Sequence, residues 1–151
     1  MYNWLIVGCY NGYNTIIKEH SMAVKIKEHG IGIAIKRAKK KLLIEVSMLG
    51  KLTHEDYETF VPMIDRALKE AKGLEVDLLV DMRHFKGWEL LAAWDDMKFG
   101  LKHRNSFDKM AIVGDKKWEE VSVEMFSHMM KGKSKFFKDR QKALEWLLKT
   151  S

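Results

Sequence analysis

The chain has one cysteine, Cys9, and one proline, Pro62, among its 151 residues. With a lone cysteine no internal disulfide can form, so the fold must rest on a packed core, a pattern that suits a reducing cytoplasm. Long apolar runs are missing too. The longest near the N-terminus, WLIVGCY at residues 4–10, is too short to cross a bilayer. It also lacks the basic leader and small-residue cleavage site of a secretory signal, so none is expected. Catalytic signatures are equally scarce. No serine stands in Gly-x-Ser-x-Gly, and Cys9 has no histidine nearby in sequence to activate it. The histidines (His20, His29, His54, His84, His103 and His128) show no recognised metal-ligand spacing, and His54-Glu55 lacks the second histidine of a zinc-protease helix. GIGIA at residues 30–34 enters a strand rather than leaving one for a helix, the wrong context for a phosphate loop. No metal and no cofactor are expected.

Hydrophobic residues make up 46% of the chain and charged residues 32%, which fits one globular domain. Lys and Arg number 27 against 21 Asp and Glu, a net charge of +6. The charges are spread along the chain and mixed in sign, as on a solvated surface. The densest basic run, KRAKKK at residues 36–41, falls at an expected hairpin turn and carries no aromatic residue for base stacking. Nucleic acid is therefore not an expected partner.

The most informative stretch is 76–117. Two continuous apolar runs, VDLLVD (76–81) and KMAIVGD (109–115), each end in an acidic residue and lead into a helical pattern. Such runs mark parallel strands joined by crossover helices, and ligands usually meet these sheets at the strands' carboxyl ends. The first connection is the loop MRHFKG (82–87) and a helix from Trp88; the second is the helix KKWEEVSVEMF (116–126). Upstream, residues 32–36 and 41–49 read as an antiparallel hairpin. Thr53 with Asp56 three residues on is an acidic capping box, opening a helix whose Phe60, Ile64, Ala67, Leu68 and Ala71 share one face. Pro62 should kink or divide that helix, since its ring excludes the carbonyl of Glu58, and Gly73 closes it. SKFF (134–137) reads as an edge strand or extended loop. Asp139 caps a last helix packed through Ala143, Trp146, Leu147 and Leu148. The order is ββαβαβα, a short β and a final α: an α/β fold, a single mixed sheet with flanking helices. Residues 1–21 stand apart from the domain at 22–151. Asn11-Gly12 suits a type I′ turn, which makes 4–17 a hairpin; the alternative is that translation begins at Met22.

Two places invite function. Asp81, Arg83 and His84 cluster at one strand end, with Asp115 at the next, where a general acid or base could stand. The blander reading, which the absence of a nucleophile favours, is that Asp81 caps the loop and Arg83 neutralises it. The other place is the helix at 88–101. Leu90, Trp94, Met97 and Leu101 share one face, and Trp88, Ala92 and Phe99 extend a second, a wider apolar surface than one-sided packing needs. Either the helix is buried on two sides or it meets a ligand, a partner or a membrane surface. The candidate ligand- or membrane-binding residues are Phe85, Trp88, Trp94, Met97, Phe99 and Leu101. Lys98, Lys102 and Arg104 nearby suit anionic head groups. Gly87 and Gly100, at the helix ends, are candidate hinges for a lid.

GKLTHEDY (50–57), DLLVDMRHFKGW (77–88), AAWDDMKFGLKH (92–103), KMAIVGDKKWEE (109–120) and ALEWL (143–147) give the chain its kinship. In this order they resemble the SpoIIAA-like family of bacterial proteins, related to STAS domains and compared in fold with Sec14-type lipid-binding domains. The resemblance spans residues 22–151 and implies a mixed-sheet α/β domain. It also implies a regulatory switch, since STAS-type antagonists carry a phosphorylated serine in the loop after a central strand. Residues 82–87 contain neither serine nor threonine, so that role does not carry over. The expectation is a non-enzymatic binding module, cytoplasmic and associated peripherally with the inner membrane. It would hold a small apolar or lipid-like ligand beneath the 88–101 helix against an anionic membrane surface. The alternative is a STAS-type interaction domain that docks a protein partner or a second copy of itself.

Overall fold

The computed structural model describes residues 3–10, 13–16, 29–38, 40–115 and 133–149. Its elements are β1 (Asn3–Tyr10), β2 (Tyr13–Ile16), β3 (Gly30–Ala38), β4 (Lys41–Leu52), α1 (His54–Glu70), β5 (Glu75–Trp88), α2 (Leu90–His103), β6 (Lys109–Val113), β7 (Lys133–Phe137) and α3 (Arg140–Leu148). The helix expected at 116–126 lies outside the described residues. Among the described residues the strands form one sheet in the order β2-β1-β3-β4-β5-β6-β7. It is mixed. β1, β2, β3 and β4 pair antiparallel, with Tyr10 opposite Tyr13 and Ala38 opposite Lys41 at the two tight connections. β4, β5, β6 and β7 pair parallel, and β7 is the edge expected from SKFF.

The two faces of the parallel half explain its continuous apolar runs. Ile44, Val46, Leu78, Val80, Met110 and Ile112 bury against α1 and α2, forming the larger core with Phe60 and Ile64. Leu43, Leu79, Ala111 and Val113 bury against Ala143 and Leu147 of α3. A strand covered on both faces has no polar side to alternate with. Lys41 ties the second layer down: its Nζ stands 2.6 Å from the buried Asp77 carboxylate and donates to Leu147 O at 3.0 Å.

α1 begins at the expected box. Thr53 N donates to Asp56 Oδ2 at 2.8 Å, and Thr53 Oγ1 accepts from Asp56 N. Asp56 is buried and also meets His29 Nδ1 at 2.9 Å, so one side chain ties the helix start to the residue that leads into β3. Phe60, Ile64, Ala67 and Ala71 are buried, with Leu68 packed beside them. Pro62 does not divide the helix, which runs unbroken from His54 to Glu70, and Gly73 follows its cap at φ +86°.

Three expectations are corrected. The stretch 82–87 is not a loop: β5 continues through it to Trp88, paired with β4 as far as Leu52. Register shifts opposite Ser47/Leu49 and Gly50/Lys51 insert extra residues into β5. Met82 and Phe85 therefore point into the core three positions apart, a spacing that breaks the strand pattern in the sequence. The following helix starts at Leu90, not Trp88, and ends at His103. Gly87 thus sits in the strand at φ +125° and Gly100 sits inside the helix, so neither flanks it as supposed. Finally, Leu148 is exposed and does not pack; Leu144 and Trp146 lie beside the buried Ala143 and Leu147 instead.

Candidate functional site

α2 is turned inside out. The stripe Leu90, Trp94, Met97, Leu101 recurs at helical spacing and is the more apolar one, yet it faces solvent. Leu90 is 94% exposed, Trp94 57%, Leu101 53% and Met97 40%, and Leu91 beside them is exposed as well. The stripe that faces the protein is Ala92, Asp95, Asp96, Phe99 and His103. An ordinary surface helix puts its carboxylates out and its leucines in.

The inner stripe is held to α1 by polar contacts. Tyr57 OH donates to Asp96 Oδ1 at 2.7 Å, and Trp88 Nε1 donates to Tyr57 OH at 2.9 Å. His54 Nδ1 pairs with Asp95 Oδ2, Lys98 reaches Asp95 Oδ1 at 3.1 Å, and His54 Nε2 lies 3.4 Å from Glu58. Lower down, Asp65 receives Lys102 Nζ at 2.8 Å, while His103 Nε2 stands 2.9 Å away without hydrogen-bond alignment. Phe99 tilts against Phe60 with ring centroids 5.2 Å apart.

These settings shift the groups in different directions. Burial pushes the Asp96 carboxyl up to about 6, against the opposing pull of the Tyr57 hydroxyl. Burial also raises Asp95, but His54 and Lys98 together outweigh it and hold that carboxyl below its ordinary range. The bond to Asp95 raises the His54 imidazole. Burial lowers His103, with Asp65 opposing.

Behind the seam lies an apolar cavity of about 40 Å³. Val46, Met48, Leu78, Val80, Phe60 and Ile64 form its floor and side, and Asp96, Phe99, Gly100 and His103 form its roof. At roughly 10–15 Å³ per water it has room for a few waters. An acyl chain, which needs a pocket on the order of 300 Å³, does not fit unless α2 lifts.

The candidate ligand residues separate accordingly. Trp94, Met97 and Leu101 are outside on the stripe, Phe99 lines the cavity, and Phe85 belongs to the core. Trp88 is half-buried, stacked edge-on to Phe85 with centroids 4.5 Å apart. Lys98 and Lys102 are exposed, but each already faces a carboxylate, so they are weaker anchors for anionic head groups than their spacing suggests. The residues the sequence reading missed are Tyr57, Asp65, Asp95 and Asp96. The available signal was two adjacent aspartates placed on the helical stripe shared by Ala92, Phe99 and His103.

The strand-end cluster forms a charged lattice. Arg83 grips Asp81 with both ends of its guanidinium, Nε to Oδ1 at 2.9 Å and Nη2 to Oδ2 at 2.6 Å. Arg140 grips Glu45 the same way, at 2.7 Å for each bond. Burial raises Asp81, but the Arg83 side-chain and backbone hydrogen bonds outweigh it and leave that carboxyl lowered. His84 and Asp115 are exposed at its margin. Arg140 on Glu45 thus ties α3 to β4, while Arg83 neutralises Asp81 within β5 itself. Among the described residues no group of three or more His, Cys, Asp or Glu is placed to hold a metal ion, and no helix is long and apolar enough to cross a membrane.

A family model described as SpoIIAA-like matches residues 43–148. Among solved structures, the chain is similar to an uncharacterized protein of the DUF3478 family with a SpoIIAA-like fold, from Shewanella loihica PV-4. The two share 38% identity over 84% of this chain and 99% of that one, with a TM-score of 0.70. No curated protein matches the chain. The matched residues run from β4 through the Asp81 strand end and the inverted α2 to α3, and by them the chain belongs to the SpoIIAA-like family.

Proposed function

We propose that this STAS-type domain is a non-enzymatic binding module that rests on an anionic lipid surface through the outer face of α2 and takes an apolar or lipid-like ligand beneath that helix. The observation that carries this reading is the inversion of α2. Five large apolar side chains, Leu90, Leu91, Trp94, Met97 and Leu101, stand in solvent on one short helix. Contiguous apolar surface of this kind favours a partner phase, and a tryptophan among leucines suits the boundary between head groups and acyl chains. The net charge of +6 and the exposed Arg104 at the end of α2 favour anionic head groups. The cavity supports the second half: α2 is its roof, so a helix drawn into a lipid surface uncovers an apolar floor.

The test is co-sedimentation with vesicles of phosphatidylcholine alone or mixed with phosphatidylglycerol, at low salt. Wild-type protein binds the mixed vesicles, binding weakens with salt, and the Trp94→Ser/Leu101→Ser double variant stays in the supernatant with its fold intact. Failure of wild-type protein to bind sinks the reading. Should the protein instead dimerise with rising concentration in sedimentation, and only when Trp94 and Leu101 are present, the STAS-type docking alternative takes its place.

A further inference from the structure

We infer that the α1–α2 seam is a proton-operated latch, which holds α2 over the cavity in mildly acidic surroundings and loosens it as the pH rises. It rests on the proposed reading only in taking α2 as the element that moves.

Where two helices normally meet through leucines, this seam meets through titratable groups. Asp96 is 8% exposed and faces Tyr57 from α1, and through that hydroxyl Trp88 from β5. From β4 the cavity wall offers it only Val46 and Met48. On its own helix Asp95 adjoins it and His103 shares the cavity roof. Tyr57, also buried, keeps its proton throughout, because burial and the neighbouring Asp96 both raise it. Asp96 thus enters the closed seam with one hydroxyl donor, and it is most at home there as a neutral acid. The rim contact is His54 on Asp95, flanked by Glu58 and Lys98, and it is strongest with the imidazole charged. The lower contact joins Asp65 to Lys102 and His103, with Ser106 Oγ 3.5 Å from His103 Nδ1.

Asp96 closes the seam protonated; its carboxyl, about 6 when buried against 3.8 ordinarily, gives up that contribution as the pH rises through 6. His54, raised by Asp95, gives up its charge-assisted contact as the pH rises above the ordinary imidazole value. His103 opposes both, since burial favours its neutral form and acid therefore weakens the lower contact. Asp95, held below its ordinary range by His54 and Lys98, keeps its charge across the window. From Asp96 alone the opening equilibrium of α2 should be about tenfold larger at pH 8 than at pH 5.

Amide hydrogen exchange of the vesicle-free protein reads this directly, with rates corrected for the intrinsic pH dependence. Exchange in α2 is expected to rise about tenfold from pH 5 to pH 8, while Leu78–Val80 of β5 stays protected throughout. Asp96→Asn keeps an acceptor for Tyr57 and cannot titrate, so its α2 exchange should lose most of that slope. His54→Gln, on the exposed rim, should lose a smaller part and covers the case in which Asp96→Asn folds poorly. A flat wild-type profile overturns the latch, as does an undiminished slope in both variants. A pH-dependent seam in a protein that ignores vesicles keeps the latch and discards the membrane reading; vesicle binding with a flat seam does the reverse.

Discussion

Tyr57 donates its hydroxyl to Asp96 at 2.7 Å while accepting from Trp88 Nε1, so one hydrogen-bonded chain links the end of β5, the start of α1 and the middle of α2. Removing the middle link with Tyr57→Phe leaves a buried acid without its donor. The expected loss is about 1–3 kcal/mol of stability in urea unfolding. The pH dependence has a definite sign. The Asp96 carboxyl is raised to about 6 in the fold, so its stabilising share is complete below its ordinary 3.8 and fades as the pH passes through 6. Wild-type protein should therefore be less stable at pH 8 than at pH 5, and Tyr57→Phe should widen the gap. Equal losses at both pH values would contradict this account of Asp96.

The inversion of α2 makes a pair of substitutions behave against their sequence character. Leu90→Ser removes a large apolar group from solvent and should change stability by less than about 0.5 kcal/mol. Ala92→Leu adds methylenes where Ala92 is 0% exposed, and overpacking there should cost about 1–3 kcal/mol. Thermal unfolding of the two variants side by side checks the orientation, and the reverse order would refute it.

The sheet was legible in the sequence because its signals are local. VDLLVD and KMAIVGD are long enough to show burial on both faces, and the Thr53–Asp56 box names its helix start without help from tertiary contacts. The extension of β5 was not legible, because two register shifts interrupt the alternation that marks a strand, the first of them displacing Phe85. Helical periodicity marked Leu90/Trp94/Met97/Leu101 and a second face through Trp88, Ala92 and Phe99, but it carries no sign: Leu90/Trp94/Met97/Leu101 and Ala92/Asp96/Phe99/His103 have the same spacing. Only the partners on α1, namely His54, Tyr57 and Asp65, decide which stripe turns inward. Those partners lie 37–41 residues away in sequence.

Gly87 holds φ at +125° one residue before β5 ends, and a Cβ built there meets nothing within 4 Å. Gly87→Ala is therefore a pure test of backbone strain, with no clash to confuse it. It should destabilise by about 1–3 kcal/mol. It should also shift Trp88, whose indole N–H must reach Tyr57, so Trp emission should change along with the unfolding midpoint. A neutral substitution would mean the strand end relaxes freely and does not position Trp88.

Lys41 and Asp77 form the most enclosed charge pair of the second layer, with Asp77 only 1% exposed and the ammonium 2.6 Å away. Burial raises the Asp77 carboxyl, with Lys41 holding it down against that pressure. Lys41→Met takes away the counter-charge and the donor to Leu147 O, leaving a carboxylate in the layer that seats α3. A loss of about 3–5 kcal/mol is expected near neutral pH. In the variant Asp77 must take up a proton to remain buried, so its folded-state proton affinity rises further above the unfolded value. Stability then falls as the pH climbs, and part of the loss returns on acidification toward pH 4–5. The double variant Lys41→Met/Asp77→Leu removes both charges and should recover most of the stability at every pH. A Lys41→Met protein whose deficit is the same at pH 4.5 and pH 8 would show that Lys41 acts on α3 through Leu147 alone, and not through Asp77.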